Sequence, residues 1–152
     1  MNVRVSIGAD HAGFALKAVL IDFFRARGCL PVDRGAYCLD VSDYPDFAKS
    51  VSLDVSDGRV DFGILICGSG IGMSITANRY KKVRAALCYD VRAAKMAREH
   101  NDANVLCLAG RDLTVSRCLE IVEAFVSSKF SCEERHKKRI EKIDEGGGNS
   151  VF

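Results

Sequence analysis

Short apolar runs alternate with longer runs of helical periodicity along this chain, and that alternation constrains its fold more than any other feature. Residues 3–7 form the first strand candidate and end in Gly8-Ala9-Asp10-His11-Ala12-Gly13. Leu16, Val19, Leu20, Phe23 and Phe24 then fall at helical spacing, with Lys17, Asp22 and Arg25 between them, and Gly28 stops the helix. A weaker strand at 29–32 leads into a loop marked by Asp33-Arg34-Gly35 and Ser42-Asp43-Tyr44-Pro45. Asp43 is placed to cap the next helix, with Pro45 in its first turn and Phe47, Val51 and Val55 on one face. Residues 62–67 are apolar throughout, the pattern of a parallel strand buried on both faces. After Gly68-Ser69-Gly70-Ile71-Gly72 come a helix at 73–80, a strand at 83–88, a helix at 91–98 and a strand at 105–109. A long helix at 113–130 and a highly charged one at 133–143 complete the pattern. Five strands alternating with helices predict an α/β, three-layer Rossmann-like fold around a five-stranded, mostly parallel sheet.

The 152 residues suit one domain, expected over residues 1–145, with the glycine-rich 146–152 as a frayed tail. A net charge of +2 gives no support for nucleic-acid binding. No apolar run approaches the roughly 18 residues that span a bilayer, so no membrane partner is expected. The opening residues read as a strand and not as a secretory leader. Seven cysteines, none at CxxC spacing, point to a reducing, cytoplasmic setting and give no support for a metal site. Cys88 and Cys107 lie inside apolar runs and read as packing residues.

Ligands of open α/β sheets bind beyond the carboxyl ends of the strands, so those segments are the candidate sites. Behind Cys67, glycines 68, 70 and 72 let backbone N–H groups turn toward a ligand at a helix start, where negative charge is favoured. Such a place suits a phosphate, a developing oxyanion or a thiolate at Cys67. A plain tight turn, whose glycines only relieve crowding, fits the pattern as well. Dinucleotide binding is a weaker match, because Met73 occupies the third glycine position and the loop follows the third strand. Asp10 and His11 are a polar pair at a buried strand end, although Asp10 alone would serve as a cap. His100-Asn101-Asp102 would suit acid–base work, but by itself reads first as an ordinary helix end. Arg135 and Arg139, one turn apart, suit either a phosphate clamp or a solvated, ion-paired helix face.

Taken together, Gly8-Ala9-Asp10-His11-Ala12-Gly13-Phe14, Asp43-Tyr44-Pro45, the run from Ile64 through Cys67 to Gly72, the run from Glu99 through His100-Asn101-Asp102 to Val105, and Arg111, Arg135 and Arg139 resemble the type B ribose-5-phosphate isomerase family, which includes the galactose-6-phosphate isomerase subunits. The resemblance runs in order from about residue 3 to residue 143. It implies reversible isomerisation of ribose 5-phosphate and ribulose 5-phosphate, a step of the pentose phosphate pathway, without metal or organic cofactor. It gives Cys67 the role of the base that takes the proton beside the carbonyl. The Ser69 side chain and the amides of Gly68, Ser69, Gly70, Ile71 and Gly72 would hold the enediolate oxygen, and His100 would open the furanose ring. Asp10, His11 and Asn101 would bind sugar hydroxyls, Tyr44 would line the pocket, and Arg111, Arg135 and Arg139 would hold the phosphate. Some relatives place a glutamate shortly after the loop's start; here Ile71, Gly72, Met73 and Ser74 offer no carboxylate. The resemblance also implies a homodimer or tetramer with interface sites, in which His100, Asn101 and Arg111 meet Cys67 and the last helix's arginines across two chains. A six-carbon substrate, allose 6-phosphate or galactose 6-phosphate, is the alternative, and a non-catalytic sugar-phosphate-binding module is a third reading.

Overall fold

The structure, a computed structural model, describes residues 3–146. Five strands, β1 (Val5–Ala9), β2 (Val32–Asp33), β3 (Phe62–Cys67), β4 (Ala85–Leu87) and β5 (Val105–Ala109), form one sheet in the order β2-β1-β3-β5-β4. All four pairings are parallel. Six helices accompany them: α1 (Phe14–Arg25), α2 (Tyr44–Ser56), α3 (Ile71–Ala77), α4 (Val91–Asn101), α5 (Val115–Ser127) and α6 (Glu134–Gly146). The expected three-layer α/β architecture is therefore present, with a sheet parallel throughout.

Alternation along the strands divides the core in two. Ile64 and Ile66 of β3 pack with Leu20, Phe24, Leu106, Ile121 and Phe125 under α1, α4 and α5. Leu65 and Cys67 point to the opposite face, with Val51, Val55, Met73 and Cys107 under α2 and α3. Side chains buried on both faces explain the uninterrupted apolar runs of β3 and β5. Burial pushes the Cys88 thiol up to about 12 and also raises that of Cys107, as befits packing residues.

The chain leaves β1 toward one edge of the sheet and returns on its other side as β3. Strand order reverses there, the point where sheets of this kind open a crevice. In register, Ala9 faces Ile66 and Cys67 faces Ala109, so Asp10, Gly68 and Gly110 leave three adjacent strands at one edge.

Element boundaries moved where tertiary pairing outweighed local composition. β1 starts and ends two residues beyond 3–7, because Gly8 and Ala9 pair with Leu65 and Ile66 despite low strand propensity. The second strand shrinks to Val32–Asp33, with Leu30 exposed. α5 begins at Val115 because the Thr114 hydroxyl accepts the N–H of Arg117. Asp43 occupies the N-cap position of α2, but its side chain makes no capping bond. α6 runs to Gly146, and the rest of the expected tail, 147–152, lies outside the described residues. No helix among the described residues is long and apolar enough to cross a membrane.

Candidate active site

Cys67 is the last residue of β3, and its side chain is 4% exposed. The N–H of Gly70 points at its sulfur, with N and Sγ 3.1 Å apart. Gly70 can do this because it sits in the left-handed region, φ 74°. An added Cβ there would lie 2.6 Å from Leu87 Cδ1 and 3.0 Å from the Leu108 carbonyl. The glycine is thus demanded twice, by conformation and by space. α3, which starts at the next residue, has only seven residues, so aligned peptide dipoles are few and the local N–H groups carry the effect.

The five loop amides are not equivalent. Gly70 spends its N–H on the Cys67 sulfur, and Ile71 donates to Ser69 Oγ at 3.3 Å. Both therefore have an acceptor within the loop itself. Because Ser69 Oγ accepts from Ile71, its own O–H remains for another acceptor.

A cleft of about 550 Å³ opens over this loop, lined by Asp10, Tyr44, Cys67, Gly68, Ser69, Ile71, Gly72 and Arg111, with Ile75 and Asp112. Asp10 is buried, and one carboxylate oxygen accepts the N–H groups of Ala12 and Gly13 at 2.9 and 3.1 Å. It braces the turn ahead of α1, whose own N-cap is Gly13, and its other oxygen remains for a ligand. Tyr44 packs so closely on Gly72 that any Cβ there would strike its ring. Arg111 is held by its N–H to Gly68 O at 3.1 Å, and its guanidinium lies over Gly68. His11 sits beside the cleft, exchanging bonds with Ser42: its N–H donates to Oγ at 3.2 Å and its Nδ1 accepts the Ser42 N–H at 3.3 Å.

The remaining candidates lie elsewhere. His100 and Asn101 end α4, which runs antiparallel to the strands, so they sit at the sheet edge where β5 begins. The length of β5 alone, about 13 Å, separates that edge from Cys67. There His100 stacks on His136 of α6, with ring centroids 4.4 Å apart and planes tilted by 35°. Arg135 is exposed and paired with Glu133 at 2.7 Å. Arg139 projects from the same charged helix.

One chain therefore brings Asp10, Tyr44, Arg111 and the Cys67 loop together, and gathers His100, Asn101, Arg135 and Arg139 apart from them. The expected grouping of Arg111 with His100 does not hold within the chain: β5 carries its C-terminal end, and hence Arg111, to the Cys67 edge.

Three contributors escaped sequence reasoning. The Tyr89 hydroxyl donates to Ser69 O at 3.0 Å and pins the loop. Arg84 donates to the carbonyls of Asn101 and Asp102, to the Asp102 carboxylate and to Asp144, tying the end of α4 to α6. His136 is only 3% exposed. The spacing of His136 and Ile140 at i, i+4 in an otherwise charged helix is the signal of its docking face, whereas Ile143 stays exposed.

A family model described as ribose/galactose isomerase matches residues 5–143. The chain is 38% identical over 140 residues to ribose-5-phosphate isomerase B of Escherichia coli K12, covering 92% of this chain and 93% of that protein. It is 40% identical over 145 residues to ribose-5-phosphate isomerase B of Mycobacterium leprae, covering 95% of this chain and 90% of that protein. Among solved structures, a ribose 5-phosphate isomerase of Thermotoga maritima matches with a TM-score of 0.93 at 44% identity, covering 95% of this chain and 99% of that one. Ribose-5-phosphate isomerase B of Mycoplasma genitalium with bound ribulose-5-phosphate matches with a TM-score of 0.93 at 38% identity, covering 99% of each chain.

Proposed function

The chain belongs to the ribose/galactose isomerase family, and from its cleft we infer the way in which it interconverts ribose 5-phosphate and ribulose 5-phosphate. The observation that carries the reading is the placement of the Cys67 sulfur, aimed at by the Gly70 N–H, in a cleft beside Ser69 and Arg111. The Gly70 N–H fixes the position of the sulfur, the atom that accepts the proton in this reading.

Aldose–ketose isomerisation needs an open-chain sugar, a base near C2 and stabilisation of the oxygen where charge develops. Cys67 thiolate takes the C2 proton of the open-chain aldose and returns it to C1. A hydroxyl proton moves from O2 to O1, so no atom is gained or lost. Ser69 O–H and the amides of Gly68, Ser69 and Gly72 face the enediolate oxygen; Gly70 and Ile71 act one step back, on sulfur and on Ser69. The largest rate contribution is expected from these donors, since each one lost typically costs about 10²–10³ in rate. Asp10, with one carboxylate oxygen uncommitted, accepts a sugar hydroxyl, and Tyr44 walls the pocket over Gly72. His11 stands beside the phosphate end with Arg111.

The ring-opening and remaining phosphate groups come from a second subunit: His100, Asn101, Arg135 and Arg139 of one chain complete the cleft of the other in a homodimer. Their separation from Cys67 within one chain supports this, as does the open cleft with Ile71 and Ile75 exposed along its side. A cytoplasmic setting accords with seven cysteines that are all free thiols.

The test is a turnover assay on ribose 5-phosphate, allose 6-phosphate and galactose 6-phosphate. The reading expects the highest kcat/KM for ribose 5-phosphate; a preference for either six-carbon substrate would overturn it.

A further inference from the structure

We infer that His136 is a positioning residue for His100: its buried ring holds the His100 imidazole in the plane from which that imidazole transfers a proton to or from the sugar ring. The inference rests on the reading that His100 opens the furanose.

His136 is the most buried side chain of α6, at 3% exposure in a helix whose other described residues are mostly exposed. Nothing in the isomerisation itself uses it, and a buried imidazole amid lysines and arginines needs a reason. Its Nδ1 lies 2.8 Å from Ser131 Oγ. That oxygen also accepts the N–H of Glu133 at 3.4 Å, which holds it in place beside the ring. Ser131 is anchored in turn, its N–H donating to Glu99 O at 3.0 Å, immediately before His100. The ring is thus fixed through two bonds to the very turn that carries its stacking partner. Arg84 fixes the two helices a second time, gripping Asn101, Asp102 and Asp144. The non-glycine residue Asp102 is held at φ 43°, a conformation retained where surroundings over-determine it.

Burial, then His100, Arg135 and Arg139, lowers the pKa of His136, with Glu133 opposing them. Rotation of His100 away from its plane would spoil proton transfer without removing any group that binds the phosphate.

The substrates themselves supply a selective readout. Ribose 5-phosphate closes to a furanose and must be opened. Ribulose 5-phosphate cannot form a furanose, because its C5 oxygen carries the phosphate, and an open-chain aldose released in the reverse direction closes unaided. His136→Asn should lower kcat on ribose 5-phosphate by about tenfold, with KM changed less than about twofold. Initial turnover of ribulose 5-phosphate should change less than about twofold. His136→Phe, which keeps a flat ring and gives up the Ser131 bond, should recover most of the loss.

Equal losses in both directions, or none in either, would overturn the positioning role. His100→Asn, assayed alongside, separates the two inferences. It should lose about 10²-fold on ribose 5-phosphate and little on ribulose 5-phosphate. If it loses nothing selectively, the role of His100 itself is wrong and this inference goes with it. If it does, and His136→Asn does not, only the role of His136 is wrong.

Discussion

At one edge of the sheet, Cys67 is placed by the end of β3 and by the N–H of Gly70, both features of the backbone. At the other, His100 is placed by the ring of His136 and by a helix docked through side chains. The first region sits on the most heavily paired part of the sheet, between β1 and β5, so its geometry is fixed by strand register. The second depends on a few contacts between charged helices. A backbone-built site is rigid and needs glycine where the turn is tight. A side-chain-built site is easily perturbed, yet it can be presented to another subunit.

The largest effect that could break this comparison comes from mixing variants. Cys67→Ala alone should lose about 10³-fold or more in both directions with an unchanged thermal melt, since the base acts on C2 whichever way the reaction runs. Each Cys67→Ala and His100→Asn homodimer lacks one half of every site. Unfolding and refolding the two together should restore about a quarter of wild-type turnover on ribose 5-phosphate, on which both parents fail, because a hybrid dimer carries one intact site of two and hybrids form half the population. No recovery would mean that each chain completes its own site.

Gly70→Ala should produce the next largest effect, read as stability as well as turnover. The left-handed backbone and the contact with Leu87 and Leu108 together should cost about 2–4 kcal/mol in chemical denaturation. A loss below about 1 kcal/mol would show that the loop is less rigid than the comparison requires.

Acid should separate the regions by a smaller margin. His136 takes a proton less readily in the folded chain than at its ordinary value of 6.5, so the unfolded chain gains that proton first and stability falls as pH drops below about 6.5. On the α2 face, Asp54 behaves oppositely. Burial alone would raise its pKa, but hydrogen bonds from Arg34 and Ser6 override that and hold the carboxyl below its ordinary 3.8. Its contribution is complete above that value and fades only as pH falls below it. Hydrogen exchange at pH 5.5 and 7.5, corrected for intrinsic rates, should show α6 losing protection while β3 and α2 do not. Uniform protection at both values would contradict the contrast.

Much of the first region was legible in the chain. The apolar run at 62–67 located β3 to the residue, and three alternating glycines marked the turn that follows it. What could not be read was which amides the loop uses on itself, because Gly70 and Ile71 meet their acceptors only once the loop is folded. Asp10 looked like a helix cap and proved to brace the turn before the helix. In the second region residue pattern alone marks an ordinary helix end at His100 and Asn101 and leaves Arg135 and Arg139 open between a clamp and a solvated face, so only the family resemblance gives the four a role.

The sequence by itself determined the layers and the strand ends, since burial on two faces requires continuous apolar runs and short-range periodicity records which face each residue occupies. Tertiary structure decided the partners. Strand order placed Arg111 with Cys67 rather than with His100, and the docking of α6 turned His136 from one more charged-helix residue into the buried companion of His100. Both depend on contacts between segments distant in the chain, which no local pattern of residues encodes.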